Sequence, residues 1–217
     1  MASQKVVIEG SSAVTASQLK DFFRQIADGS LNGEQVQAIL ERKNPFAEPV
    51  WPAPVEPRKL LESVATAALA SVESFVAVER FVVDTGKKAP VKLGWLGDNF
   101  KEHFLPKVET QIEGTEVKIS KLLEASLDPP IINALGGEEK AETSLAHLYA
   151  LLLLQPKGQK GKLLTNGYAN IFYIRDAKGV LWAVRARWDD IYDYWHVEAN
   201  PVSRPNAWND GGRVVSR

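Results

Sequence analysis

From Val180 onward the apolar positions of the chain alternate with polar ones. Successive side chains of a strand point to opposite faces. In one set, Val180, Trp182, Val184, Ala186 and Trp188 are wholly apolar; in the other, Leu181, Ala183, Arg185 and Arg187 turn cationic toward the end. The alternation resumes with Trp195, Val197 and Ala199 against Tyr194, His196, Glu198 and Asn200. Two strands follow, each with a core face and a wet face, joined by Asp189, Asp190, Ile191 and Tyr192, a short connection rich in turn-forming aspartates. Antiparallel pairing would bring both polar sets and the connection onto one exposed surface. Tyr168 to Arg175 reads as a strand leading through Ala177-Lys178-Gly179 into this pair, and Arg213 to Arg217 as a last, closing strand.

Upstream, Leu19, Phe22, Phe23 and Ile26 lie on one helical face, with Gly29 as a stop. Asn32 and Gln35 resemble a capping box before Val36, Ile39 and Leu40. Residues 1–44 therefore read as a helical hairpin appendage, expected to dock on the main domain or on another copy. Residues 45–57 form a proline-rich linker that Phe46 and Trp51 would pin to a surface. From Arg58, the spacing of Leu61, Val64, Ala68, Val72, Phe75 and Val76 predicts a helix. A break follows at Thr85 to Lys88. Pro90 to Trp95 then reads as a strand, and Asn99 to Lys107, Lys118 to Ala125 and the very apolar Ala141 to Gln155 as helices. Pro156 to Lys162 reads as a solvated basic loop without phosphate-loop spacing. The fold class is α+β, with one principal domain over residues 58–217.

Composition narrows the function. The 217 residues carry a formal net charge of −1, which speaks against general nucleic-acid binding. The absence of cysteine excludes disulfides, thiolate metal sites and cysteine catalysis. No apolar run approaches the roughly 20 residues of a membrane span, and the first residues lack a secretory pattern. Cytoplasmic synthesis is the expectation, with surface display by another route left open. The histidines His103, His147 and His196 show no metal-ligand spacing, and no nucleophile elbow or dinucleotide fingerprint is present. Asp189, Asp190 and Asp193 are a weak calcium signal. No cofactor, no metal and no catalytic residue is assigned.

One bias stands out. The chain has 16 lysines and 10 arginines, yet no lysine lies beyond Lys178, whereas five arginines do. Gln and Met are also absent there. The exposed positions are restricted to Arg, Asp, Ile, Tyr, His, Asn, Ser and Gly, all reachable from an asparagine codon by replacing its adenines. Glu198 is not reachable that way and would have to be fixed.

The residues Ala183, Val184, Ala186, Trp188, Trp195, Val197, Ala199, Val202, Pro205, Trp208, Gly211, Val214, Ser216 and Arg217 form a pattern that resembles the variable region of diversity-generating retroelement target proteins of candidate-phylum bacteria. Thr165 to Asp176 and Leu93 to Phe104 are also similar to that family. The resemblance covers about residues 90–217. It implies a C-type-lectin-like domain with a small antiparallel sheet, and a variable region at about 183–213. The ligand-binding residues it implies are Arg185, Arg187, Asp189, Asp190, Ile191, Tyr192, Asp193, Tyr194, His196 and Asn200, then Arg204, Asn206, Asp210 and Arg213. The expected function is non-enzymatic binding of a protein or peptide ligand through a diversified face. Two alternatives stay open: a nucleic-acid binder using Arg185, Arg187 and the tyrosines for stacking, and an enzyme centred on His196 and Glu198.

Overall fold

A computed structural model describes residues 14–41 and 59–217. The expected linker, with Phe46 and Trp51, lies outside the described residues. The chain divides into two units, Met1–Pro57 and Arg58–Arg217.

In the first unit, α1 (Ala16–Ala27) and α2 (Gly33–Leu40) are each opened by a capping box, Thr15 with Gln18 and Asn32 with Gln35. These reciprocal bonds satisfy two otherwise orphaned donors at each helix start. Neither helix buries a residue.

The second unit is mixed α and β. Its strands are β1 (Leu61–Leu69), β2 (Val72–Val76), β3 (Leu93–Leu96), β4 (Val108–Ile112), β5 (Thr115–Leu122), β6 (Glu142–Thr143), β7 (Asn170–Arg175), β8 (Leu181–Asp189), β9 (Tyr194–Pro201) and β10 (Arg213–Ser216). Its helices are α3 (Ala77–Arg80), α4 (Asp98–His103), α5 (Asp128–Leu135), α6 (Glu138–Ala141) and α7 (Leu145–Leu154). Eight strands make one mostly antiparallel sheet in the order β1-β5-β10-β7-β8-β9-β3, with β6 pairing β7, while β2 and β4 form a separate pair. The parallel contacts are β10 with β7, β3 with β9, and β6 with β7. The sheet is thus larger and more mixed than the small antiparallel one expected.

Two of the expected helices are strands. The stretch from Leu61 to Val76 forms β1 and β2, and Lys118 to Ala125 falls on β5 and its exit. β1 pairs antiparallel with β5 along almost its whole length, with an irregularity between Ser63 and Ala65. That irregularity disturbs the two-residue period and left Leu61, Val64 and Ala68 at a helix-like spacing. In β5, Val117 and Ile119 are buried while Glu116 and Lys118 are exposed. The expected helix over Asn99 to Lys107 is the shorter α4, and the expected strand from Pro90 begins at Leu93.

The sheet is covered on one face and on part of the other. One core gathers Phe172, Ile174, Val184, Ala186, Trp188, Trp195 and Val197 with Phe100 of α4 and Leu148 and Leu152 of α7. α7 is apolar on nearly every side apart from His147 and is largely buried as far as Leu152, as such a helix requires, while Leu153 and Leu154 at its end are exposed. Its N-terminus is held by the buried Glu109 carboxylate, which accepts from the amides of Leu145 at 3.0 Å and Ala146 at 2.9 Å and pairs with Lys107 Nζ at 2.9 Å. A carboxylate there meets unpaired amides and the positive end of the helix. The second core, on the opposite face, gathers Leu181, Ala183, Ile171, Tyr173 and Val214 under Ile131 of α5 and Trp208. Leu181 and Ala183 are therefore not wet, as the alternation alone implied; the α5 layer buries them. Val180, read as apolar core, is exposed.

Trp188 and Trp195, opposite each other on β8 and β9, meet edge to face with ring centres 5.4 Å apart. The Trp195 ring N–H donates to the Gln155 carbonyl at 3.0 Å. Gly158 in the basic loop lies against Trp188: a Cβ there would stand 2.2 Å from the indole, and its φ of +68° is a left-handed conformation. The loop is thus part of the core wall as well as solvated. Gly158→Ala combines backbone strain with an overpacked contact and is expected to cost about 1–3 kcal/mol. Urea denaturation of the variant checks this, and an unchanged midpoint would remove the loop from the core.

Candidate functional site

The cover over the second face ends beyond Ala183. There the antiparallel register sets Arg185 opposite Glu198, Arg187 opposite His196 and Asp189 opposite Tyr194. The sequence places short apolar Leu181 and Ala183 where the α5 layer lies and long polar side chains where it does not. The result is a polar face made of consecutive cross-strand pairs.

Each pair has its own chemistry. Arg185 contacts Glu198 Oε1 at 3.0 Å, and Asn200 donates to the same oxygen at 3.1 Å. Arg187 reaches Asp189 Oδ2 at 3.3 Å. Burial lowers the Arg185 pKa most; Glu198 opposes this, while the charges of Arg187 and Arg204 add to the lowering. His196 Nε2 lies 3.4 Å from Asp189 Oδ2 without forming a hydrogen bond. Burial, followed by the Arg187 charge, lowers the imidazole pKa and so favours its neutral form, against the charges of Asp189 and Glu198.

The rings form a ladder. Trp95 to His196 is 5.5 Å between centroids, His196 to Tyr194 is 5.1 Å, and Tyr194 to Tyr192 is 5.8 Å, with the last two pairs stacked. Trp95 is on edge strand β3, in register with His196. Gly94 makes the ladder possible, because any Cβ there would stand 2.2 Å from the Tyr194 ring. Trp95 is 41 % exposed and Tyr192 66 %, so the outer rings are accessible.

The candidate residues divide into groups. Arg185, Arg187, Tyr194, His196 and Asn200 share the face, half-buried. Asp190, Ile191, Tyr192 and Asp193 are exposed in the connection. Asp193 there has a φ of 58°, a left-handed conformation that aspartate tolerates better than most residues. Asp189 turns inward: its Oδ1 accepts from the amides of Ile191 at 3.1 Å and Tyr192 at 3.2 Å, which fixes the turn. Asn206 and Asp210 are exposed on the segment between β9 and β10. Arg213 is on β10, separated from β9 by β7 and β8, and donates to the Lys162 carbonyl. Of the frame positions, Ala183, Val184, Ala186, Trp188, Trp195, Val197, Ala199, Trp208, Val214 and Ser216 are buried, Val202 and Gly211 half-buried, and Pro205 and Arg217 exposed.

No protein-family model, curated protein or solved structure matches the chain.

Sequence reasoning missed three contributors. Trp95 and Gly94 complete the ladder from a strand distant in sequence. The third is Asp128, fully buried at the start of α5, whose Oδ1 accepts from Trp208 Nε1 at 2.7 Å and Tyr173 OH at 2.9 Å. Its only sequence signal is the helix-opening Asp-Pro-Pro. Arg204 lies over the Trp208 ring, its guanidinium carbon 3.6 Å from the ring centre. Among the described residues, no group of three or more His, Asp or Glu side chains is placed to hold a metal ion, and no helix is long and apolar enough to cross a membrane.

Burial pushes the Asp128 carboxyl above its ordinary pKa, against the hydrogen bonds from Trp208 and Tyr173 and the charge of Arg204. Between the unfolded and the raised folded value, the folded chain binds more protons than the unfolded one. The contribution of Asp128 to stability therefore falls as pH rises through that window. Asp128→Asn is expected to remove this slope while keeping an acceptor for both donors. Asp128→Ala, which leaves the Tyr173 hydroxyl and the Trp208 N–H unpaired, is expected to cost about 1–3 kcal/mol more than Asp128→Asn. Denaturation midpoints of the three proteins across pH 4 to 7 decide it; parallel curves for wild type and Asp128→Asn would show that the carboxyl does not titrate in that range.

Proposed function

We propose that residues 58–217 form a non-enzymatic ligand-binding domain of C-type-lectin type, whose polar C-terminal face is diversified by a retroelement to take varied protein ligands. The observation that carries this reading is the separation of roles along β8, β9 and the segment that follows. The resemblance-implied frame is mostly buried, and the positions reachable from an asparagine codon are mostly half-buried or exposed. Glu198, the one face residue that is not reachable, is occupied with Arg185 and Asn200. Aromatic and mixed-charge side chains on a rigid frame suit a protein surface, because tyrosine and tryptophan give large contact areas at low entropic cost.

A single-stranded nucleic acid is the rival that one observation favours, since the Trp95-His196-Tyr194-Tyr192 ladder could stack bases. Asp189, Asp190 and Asp193 beside it and the overall charge of −1 oppose a phosphate backbone. Binding to oligonucleotides that weakens steeply with salt would replace the protein-ligand reading.

The decisive experiment is to sequence the genomic neighbourhood. A near-copy of the segment encoding about residues 183–213, differing only at adenines of the template and lying beside a reverse transcriptase gene, is the expected result; neither being present would overturn diversification. A second prediction concerns the protein. Tyr192→Ser and Asp190→Asn are expected to shift unfolding free energy by no more than roughly 0.5 kcal/mol, whereas Trp195→Ala is expected to cost about 3–5 kcal/mol. Comparable losses at all three positions would mean that the face is structural.

A further inference from the structure

Beside the polar face is a cleft of about 360 Å³, lined among others by Asn166, Tyr168, Arg185, Arg204, Trp208 and Asn209. Such a volume is at the lower end of the range of ligand clefts and suits one or two side chains of a partner. Two of its lining residues are arginines, each with one unmet donor. The Nε atoms of Arg185 and Arg204 are both buried without a hydrogen-bond partner. Arg185 also engages Glu198 through one terminal nitrogen. The Arg204 side chain donates no hydrogen bond among the described residues, and Asp128 Oδ2, 3.9 Å from its Nε, is at ion-pair separation without a hydrogen bond.

A guanidinium carries five donors in one plane, matched by the two oxygens of a carboxylate. The Arg204 guanidinium is held against the face of Trp208, which is itself held by Asp128. The fork is therefore oriented before any ligand arrives, which lowers the entropic cost of binding. The local charges agree. Arg185 is neutralised by Glu198 and Arg187 by Asp189, while burial disfavours the charged form of Asp128. That leaves Arg204, which faces the Asp128 carboxyl at 3.9 Å, as the least compensated of the three guanidinium groups.

We propose that this cleft is a carboxylate-binding subsite, in which the Arg204 fork, with Arg185 beside it, receives an Asp, Glu or chain-terminal carboxylate of the protein ligand. The proposal rests on the protein-ligand reading for the source of the carboxylate, but the subsite can be tested without that ligand. The arginine Nε–H and tryptophan indole N–H resonances of the whole chain are followed during titration with sodium acetate at constant ionic strength. Sodium chloride and inorganic phosphate serve as separate arms.

The expected result is a saturable shift of the Arg204 and Trp208 signals with acetate and not with chloride. Arg204→Lys, which keeps the charge and loses the fork, is expected to weaken the response about tenfold or more. If that variant does not fold, Arg185→Lys is expected to weaken it by a smaller factor. Asp128→Asn is expected to leave acetate binding intact. Equal shifts with chloride, preference for phosphate over acetate, or an acetate response that emerges only in Asp128→Asn would each overturn the proposal. The last would mean that Asp128 is the true partner of Arg204. A locus without a template copy would remove the diversification reading and leave the acetate result standing. A silent titration at an intact locus would remove the subsite alone.

Discussion

A buried aspartate side chain holds together the part of this domain that faces outward. Asp128 receives the indole N–H of Trp208 and the hydroxyl of Tyr173, and so ties the start of α5 to central strand β7 and to the irregular segment between β9 and β10. The same tryptophan makes a backbone pair with Ser126, with bonds of 2.8 and 3.1 Å. A few residues on, the Gly211 amide donates to the Leu122 carbonyl, and the Leu122 amide to that of Gly212, both at 2.8 Å. Buried donors without partners are costly, so each bond resists loss on its own account. The segment has little regular structure, yet it is anchored at Trp208 and again at Gly211 and Gly212. Side chains between these anchors can change without moving the backbone that presents them.

The hairpin of β8 and β9 applies the same logic by a different means. Antiparallel register fixes which side chains are neighbours, and the period of two fixes which face they occupy. Where the α5 layer ends, the face passes from apolar to polar within one strand, between Ala183 and Arg185. The ladder of Trp95, His196, Tyr194 and Tyr192 extends this face across to β3, and it depends on a glycine in a different strand from three of its rings. The presented surface is therefore built by elements far apart in the chain.

That distance explains what the sequence could and could not tell. The hairpin, β7, α7 and the cap of α2 were legible because each depends on local spacing, whereas the Thr15–Gln18 cap of α1 was not read. The alternation from Val180, the leucine-rich run after Ser144 and the Asn32–Gln35 pair carry their signals within a few residues. β1 was misread because a register irregularity near Val64 imitates a helical period, and its strand character comes from pairing with β5, some fifty residues away. β5 itself alternates correctly in Val117 and Ile119, so the helix assigned there missed a signal that was present. Leu181 and Ala183 looked half-wet because nothing in a strand announces the layer that will cover it. The polar candidates on the hairpin were legible as a set, but Trp95, Gly94 and Asp128 join them only in three dimensions.

The closing strand has a consequence for inheritance. β10 follows the stretch that we propose to vary, yet it lies in the interior of the sheet between β5 and β7, with Val214 and Val215 fully buried. A copy of the gene altered by substitution keeps this strand. A copy that shifts the reading frame or stops early loses it, and leaves the edges of β5 and β7 unpaired. The domain then cannot close. Folding thereby acts as a proofreader that passes changes of exposed side chains and rejects copies that lose the frame before β10, before any ligand is met.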